Sequence, residues 1–227
     1  MGSSIGPKIP YDTSLVLNLD ASNQRSYLGS GTAWNDLSGR NTNGILTGTG
    51  NSLTISGSGS TIDSLYFNGS AFASLATESF NYGQTARTMM AWARPTGFNN
   101  YGAIFAYGTN GSNQGTGIAQ LSTGTNYGSY SQNVEAWGGG TPQINTWAHV
   151  AFTYNGTNAT MYVNATIVNG PTGKNWSVVQ NIAYVGMNLN NTETWIGNIA
   201  QVMFYNRSLS SAEITQIYNT QKKRYGL

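Results

Sequence analysis

Ionisable side chains carry most acid–base and metal chemistry in proteins, and this chain has few of them. Its 227 residues include eight acidic residues, one histidine and no cysteine. Cysteine nucleophiles, disulfides and thiolate metal sites are therefore excluded. The lone histidine, His149, cannot hold zinc unless acidic groups reach it from elsewhere. We interpret His149 as structural, hydrogen-bonded between sheets or near a sheet edge. The acidic residues are spread along the chain: Asp12, Asp20, Asp36, Asp63, Glu78, Glu135, Glu193 and Glu213.

The overall composition argues against a nucleic-acid-binding protein and against a membrane protein. Charged residues make up 8% of the chain, against about a quarter in a typical globular protein. The net charge is only +2, which is too weak for a nucleic-acid-binding surface, since such a surface needs clustered lysine and arginine residues. Hydrophobic residues at 39% are sufficient for a sizeable core, and we expect no signal peptide and no membrane insertion. The one basic cluster, Lys222 to Arg224, is either a solvated helix end or a docking patch.

The positions of apolar residues predict a chain made mostly of short strands. Side chains alternate between apolar and polar with period two, which is typical of strands with one buried face. Asn155-Gly156 reads as a hairpin turn between two of them. Gly6-Pro7 and Ile9-Pro10 predict an extended arm over residues 1–13. Strands are predicted at 14–19, 64–67, 88–94, 101–107, 147–154, 160–163, 182–187 and 199–205, and within 108–146 only at 133–137.

The end of the chain carries a helix signature. Ser210 followed by Glu213 predicts a capping box, and Leu209 with Ile214 predicts a hydrophobic staple across the helix start. Ile214, Ile217 and Tyr218 then form one apolar stripe that can lie on a sheet. Many short strands with one late helix indicate an all-β sandwich or jelly roll.

Several segments resemble the laminin-G-like, concanavalin A-like lectin/glucanase superfamily. They are LVLNLDASNQRSY at 15–27, WNDLSG at 34–39, LYFNGS at 65–70, TMMAWARP at 88–95, WAHVAFTYNGTNATMYV at 147–163 and the stretch 197–218. The resemblance implies an all-β, concanavalin A-like jelly-roll sandwich over residues 14–227. Two antiparallel sheets are expected, with a short C-terminal helix.

The two ends of the chain resemble one branch of that superfamily. The Gly-Pro-Lys-Ile-Pro arm, LDASN, WNDLSG and the tail YNTQKKRYGL are similar to lectin-like domains of tailed-phage structural proteins. This implies a non-enzymatic protein of the virion exterior, in the capsid or tail, assembled in the host cytoplasm. It would be a homo-oligomer that contacts other virion proteins through the arm or the basic tail. Alternatives are a cement protein without a sugar ligand, or a glycan hydrolase.

The hydrolase alternative lacks its expected residues. A retaining glucanase of the superfamily would carry a Glu-X-Asp-X-X-Glu strand, whose two glutamates flank the glycosidic bond. No such motif occurs, and any two acidic residues are at least eight positions apart in sequence.

Carbohydrate recognition needs an aromatic surface together with amide or carboxylate groups. Two regions supply both, 99–140 and 188–195, and within them 108–140 is the strongest candidate. The alternative is that these aromatic residues fill a sheet face or a subunit interface. The candidate sugar-contacting residues are Tyr101, Tyr127, Tyr130, Glu135, Trp137, Asn188, Asn190 and Trp195.

A calcium site is a second expectation from the resemblance. Many relatives bind Ca²⁺ at the sandwich rim through aspartates and carbonyls, and Ca²⁺ takes six or more oxygen ligands. Asp20 and Asp36 are the candidate ligands here. Asn68 occupies the position of the relatives' FDG-type aspartate. In the alternative interpretation, Asp20 and Asp36 cap turns by accepting hydrogen bonds from nearby backbone N–H groups.

Overall fold

The computed structural model describes residues 12–48, 53–56, 64–131 and 134–227, with the backbone alone at 53–56, 130 and 134–137. These residues form sixteen strands and one α-helix, α1, at Ser211–Gln221. The strands are β1 Leu15–Asp20, β2 Ala33–Trp34, β3 Gly44–Thr47, β4 Leu53–Ser56, β5 Ser64–Asn68, β6 Phe72–Leu75, β7 Arg87–Pro95, β8 Ala103–Gly108, β9 Gly115–Leu121, β10 Asn126–Ser131, β11 Val134–Gly139, β12 Ala148–Tyr154, β13 Asn158–Val163, β14 Thr166–Gly173, β15 Ile182–Val185 and β16 Ile196–Tyr205.

The strands form two sheets that pack face to face. The first sheet has the order β14-β13-β12-β7-β16-β5-β4, and β1 pairs with the second half of β16. The second sheet has the order β11-β10-β9-β8-β15-β6-β3-β2. Neighbouring strands are antiparallel, as at β7–β12 and β8–β15. The all-β prediction of two antiparallel sheets and a short C-terminal helix is confirmed.

The hydrophobic core lies between the sheets because each central strand turns alternate side chains inward. On β12, Val150, Phe152 and Tyr154 face the second sheet and are fully buried. His149 and Ala151 point to the opposite, outer face of the first sheet, as the period-two pattern predicts. The largest fully buried side chains are mostly aromatic, and Trp34 and Trp195 are both completely buried.

Glycine-rich strands of the second sheet were the hardest to find in the sequence. β9 and β10 have no counterpart among the predicted strands, although β11 overlaps the predicted 133–137. In β9 and β10 the inward positions include Thr116 and Ser129, both fully buried, beside glycines at outward ones. The alternation of apolar and polar residues is therefore weak in both strands. Pairing of β9 with β8, and of β10 with β9, makes these segments strands rather than their local sequence pattern.

Helix α1 begins as the sequence predicts and covers the outer face of the first sheet. Ser210 Oγ accepts a hydrogen bond from the backbone N–H of Glu213, and the Glu213 carboxylate accepts one from the backbone N–H of Ser210. Leu209, Ile214 and Ile217 pack in one buried cluster with side chains of β7, β12 and β16. Among the described residues, no helix is long and apolar enough to cross a membrane.

We expect Ser210→Ala to lower the free energy of unfolding by about 1 kcal/mol, because the backbone N–H of Glu213 loses its cap. Chemical denaturation monitored by tryptophan fluorescence measures the change. Ser208→Ala is the control, since the Ser208 side chain makes no hydrogen bond to any described residue and lies just before the cap. An equal loss in both variants would contradict the capping role.

The predicted basic tail is a folded turn that packs on the domain. Residues Lys222–Tyr225 form a 3-10 turn, and the Arg224 guanidinium makes two hydrogen bonds to the Asp20 carboxylate, at 2.9 and 2.7 Å. The ring of Tyr225 stacks on Trp92 with 4.0 Å between ring centroids. Arg224 thus serves the fold. Of the predicted arm, residues 1–11 lie outside the described part of the chain.

Candidate functional site

A cavity of about 450 Å³ opens on the outer face of the second sheet. It lies where β6 and β15 pair and where the loop 186–195 connects β15 to β16. The β5–β6 turn closes its other side. The lining residues are Gly69, Ser70, Phe72, Tyr184, Met187, Asn191, Thr192 and Thr194.

Two aromatic rings form the apolar wall of this cavity. On β6 and β15 the alternate residues Ala73 and Val185 belong to the core, so Phe72 and Tyr184 point outward. Their ring centroids are 5.4 Å apart with the planes at 78°. This edge-to-face arrangement is favourable for aromatic pairs and holds both rings in place. Both side chains are half-buried, which leaves part of each ring accessible to a ligand.

Side-chain hydrogen bonds of two asparagine residues hold the loop that forms the polar wall of the cavity. Asn188 is fully buried, and its Oδ1 accepts hydrogen bonds from the backbone N–H groups of Thr192 and Glu193, at 3.3 and 3.2 Å. Its Nδ2 donates to the Glu193 carboxylate. Asn190 Oδ1 accepts a further bond from the backbone N–H of Thr192. Side chains of this kind stabilise tight turns because they replace backbone hydrogen bonds.

The loop presents uncharged polar groups to the cavity. Asn191 has a φ of 62° and is exposed, and its side-chain amide makes no hydrogen bond to any described residue. Ser70 and Thr192 are also exposed. Thr194 is tied to the rim, because its Oγ1 donates to the carbonyl of Gly69 at 2.7 Å. Asn191, Ser70 and Thr192 can therefore offer donors and acceptors to a bound ligand.

The cavity has no acid–base pair of its own. Aspartate, glutamate, lysine, arginine and histidine are absent from the described residues that line it. Glu193 lies next to the lining residues and is half-buried. Burial raises the pKa of the Glu193 carboxyl, although the hydrogen bond from Asn188 opposes the rise. The arrangement suits binding of an uncharged, hydroxyl-rich molecule, whereas glycosidic cleavage uses two facing carboxyl groups.

Only part of the predicted sugar site coincides with this cavity. The loop 188–195 forms the polar wall, but within it Trp195 is fully buried in the core. Tyr127 of β10 also faces the core, where burial raises the pKa of its phenol. Neither ring can reach a sugar, so the prediction was wrong for Tyr127 and Trp195. Asn188 and Asn190 shape the loop through the bonds described above.

The remaining candidates lie apart from the cavity lining or outside the described side chains. Tyr101 is half-buried against a small cluster with Ala103 and Leu121. Tyr130 lies on β10, and the backbone of Glu135 and Trp137 belongs to β11. The side chains of Tyr130, Glu135 and Trp137 are outside the described part of the structure, so sugar contact there stays a prediction.

Phe72 and Tyr184 are the residues that the sequence interpretation missed. Each alternates with small or aliphatic residues in a short strand, as in FASL and IAYV. The sequence did contain a signal for them, because in each short strand an aromatic residue lies on the face opposite to the residues that are buried in the core. Nothing in the local sequence says that these two strands are neighbours.

The two predicted calcium ligands are occupied by hydrogen bonds. Asp36 Oδ1 accepts from the backbone N–H groups of Asn18 and Ser38, at 2.8 and 2.9 Å. Asp20 pairs with Arg224 and also accepts from the backbone N–H of Ser22. Among the described residues, no cluster of three or more histidine or acidic side chains is suited to a metal. This geometry matches the turn-capping alternative for both aspartates.

His149 is a packing residue beneath the C-terminal segment. It is almost fully buried, and its ring lies 5.2 Å from that of Trp92 and 6.0 Å from that of Tyr218, between ring centroids. Neither ring nitrogen has a hydrogen-bond partner among the described residues. The structural interpretation is confirmed, but the expected hydrogen bond is not found. Burial lowers the pKa of the imidazole to about 3.

Comparison with known families agrees with this architecture. A family model described as the concanavalin A-like lectin/glucanases superfamily matches residues 67–215, more than half of the chain. The chain belongs to this superfamily. No protein in the curated collection matches it.

Solved structures share the fold at low sequence identity. Domain 4 of AbnA, a GH43 extracellular arabinanase from Geobacillus stearothermophilus solved with arabinotriose, is 16% identical with a TM-score of 0.70. The match covers 90% of this chain and 98% of that domain. Trypanosoma rangeli sialidase is 16% identical with a TM-score of 0.71, over 98% of this chain but 36% of the sialidase. The chain therefore spans about a third of that enzyme.

A third structure is the binding domain of a mosquitocidal protein. The binding domain of Paraclostridial Mosquitocidal Protein 1 is 19% identical with a TM-score of 0.64. The match covers 91% of this chain and 52% of that one. At these identities the likeness establishes the fold, and the structural matches described here include no phage protein.

Proposed function

We propose that this superfamily member is a non-enzymatic protein that binds neutral carbohydrate in the cavity beside Phe72 and Tyr184. The observation that carries the proposal is the combination of an outward aromatic pair with a rim of uncharged amide and hydroxyl groups. Apolar faces of sugars pack on aromatic rings, while a few placed polar groups select the hydroxyls. The AbnA domain supports it as a relative in fold that was solved with a neutral oligosaccharide.

The rim of the cavity favours weak binding at each site. Its asparagine and serine groups are exposed to water, which competes for their hydrogen bonds. Several copies acting together would raise the overall affinity through effective concentration. This is the reason to expect a homo-oligomer or a repeated array.

A glycan-binding assay with a multimeric sample tests the proposal. We expect neutral oligosaccharides, including arabino-oligosaccharides, to bind. Sialylated or uronic-acid glycans should bind less, because the described residues that line the cavity include no cation. Tyr184→Ala is expected to weaken binding by about tenfold, which corresponds to about 1.4 kcal/mol. Titration calorimetry or biolayer interferometry gives the ratio.

Tyr66→Ala is the matched control for this measurement. Tyr66 is also a half-buried strand tyrosine, but it lies on β5 of the first sheet, away from the cavity. Its removal should leave sugar affinity within about twofold. If Tyr66→Ala and Tyr184→Ala weaken binding equally, or if no neutral glycan binds, the cavity is not the site.

The biological setting that we propose is the exterior of a tailed-phage virion, on the capsid or the tail. The support is the similarity of the chain ends to lectin-like phage domains. Contacts with other virion proteins would use residues 1–11 or the cations Lys222 and Lys223. Loss of particle binding on deletion of residues 1–11, with sugar affinity unchanged, would identify the arm as the anchor. Particle binding that survives the deletion would exclude the arm as the anchor.

Two outcomes would replace this proposal with the alternatives. Firm particle binding without any glycan ligand would favour a purely structural cement protein. Release of reducing ends from host polysaccharide, lost in Glu135→Gln, would establish a hydrolase.

A further inference from the structure

A buried arginine lies between the two sheets, and no described residue forms an ion pair with it. Arg87, the first residue of β7, has no exposed surface. Its Nη1 donates to the carbonyls of Gly83 and Thr85, at 3.3 and 3.0 Å. Its Nε and Nη2 make no hydrogen bond to any described residue. A guanidinium is charged at any pH that proteins meet, so Arg87 keeps a full positive charge in the interior.

The protein groups around Arg87 do not neutralise it. The ring of Tyr154 lies under the guanidinium, 4.6 Å from its carbon to the ring centroid. Burial raises the pKa of the Tyr107 phenol to about 12, and the nearby charge of Arg87 opposes this rise only in part. Tyr107 therefore stays neutral and supplies no negative charge. The ion pairs of the described residues join Arg207 and Arg224 to acidic groups, and Arg87 takes part in none.

Further unpaired donors lie in the same end of the sandwich. Thr116 pairs with Tyr107 across β8 and β9, and its buried hydroxyl has no partner among the described groups. The ring of Trp176 lies 5.9 Å from that of Tyr154, and its buried Nε1–H is also unpaired within the described chain. A buried donor without an acceptor destabilises a fold, and a buried charge without a partner destabilises it more.

We propose that a small monovalent inorganic anion, of the size of chloride, binds beside Arg87 between the sheets. An anion would supply the charge that the described chain lacks and accept hydrogen bonds from Nε and Nη2 of Arg87. Charge-assisted bonds of this kind are among the stronger hydrogen bonds in proteins. A water molecule would satisfy the donors but leave the charge uncompensated, and the experiment below separates the two.

Thermal unfolding at constant ionic strength tests for the anion. Sodium chloride replaces sodium methanesulfonate stepwise, so that only the identity of the anion changes. A ligand that binds only the folded state raises Tm with the logarithm of its concentration. For a chain of this size we expect about 3–5 °C per tenfold increase in chloride above its dissociation constant.

Arg87→Met should abolish this chloride dependence, because it keeps a flexible, unbranched side chain and removes the charge and the hydrogen-bond donors. Arg25→Met is the control, since Arg25 is exposed and its loss should leave the dependence intact. If Arg87→Met does not fold, crystals of the unaltered protein grown in bromide decide. An anomalous peak beside Nη2 of Arg87 supports the site. A Tm independent of chloride, or density beside Nη2 without an anomalous signal, overturns the proposal.

Discussion

Trp92→Ala is expected to lower the free energy of unfolding by about 4 kcal/mol, the scale of large aromatic deletions from a core. Trp92 is buried on the outer face of the first sheet, where Tyr225 stacks on its ring at 4.0 Å. Its indole Nε1 donates to the side-chain oxygen of Gln221 at 2.6 Å. The substitution therefore opens a cavity and also removes two of the contacts that hold the C-terminal segment on the sheet.

Denaturant unfolding gives the magnitude, and limited proteolysis reports whether residues 218–227 detach. Trp147→Ala is the control, because Trp147 belongs to the same cluster but is only half-buried. We expect it to lose less than half as much stability. If Trp92→Ala costs under about 1 kcal/mol, the C-terminal segment does not depend on this stacking.

The second large effect is a loss of stability in mild acid caused by His149. Its folded-state pKa is lowered to about 3 by burial, whereas an unfolded histidine titrates near 6.5. Only the unfolded state then binds a proton as pH falls through 6.5. The stability is complete above pH 6.5 and is lost progressively towards pH 3. Linkage predicts a decrease of about 2 kcal/mol between pH 7 and pH 5.

His149→Phe is the variant that isolates this effect. Phenylalanine can keep the ring contacts with Trp92 and Tyr218 and has no proton to gain. Carboxyl groups in the unfolded chain titrate mostly below pH 5, so the two proteins should differ mainly between pH 5 and 7. Urea unfolding at pH 5, 6 and 7 measures the slope. Equal slopes in both proteins would show that His149 does not titrate on unfolding.

The sequence was sufficient for the fold class and for the local structures that depend on neighbouring residues. Ser210 and Glu213 specify the helix start because the capping box is a contact within one turn. Ala148–Tyr154 reads as a strand because its side chains alternate, with one face packed in the core between the sheets, although the fold buries the other face as well. The sequence contains eight acidic residues, a scarcity that favours binding over acid–base catalysis.

Whether an aromatic residue faces the core or the solvent was decided by the tertiary structure. Tyr127 and Trp195 looked available for a sugar, but both side chains pack in the core between the sheets. Phe72 and Tyr184 come together because β6 pairs with β15, strands far apart in the chain. A period-two pattern shows that two faces exist. It does not show which face another sheet will cover, since that depends on pairings and on packing between distant segments.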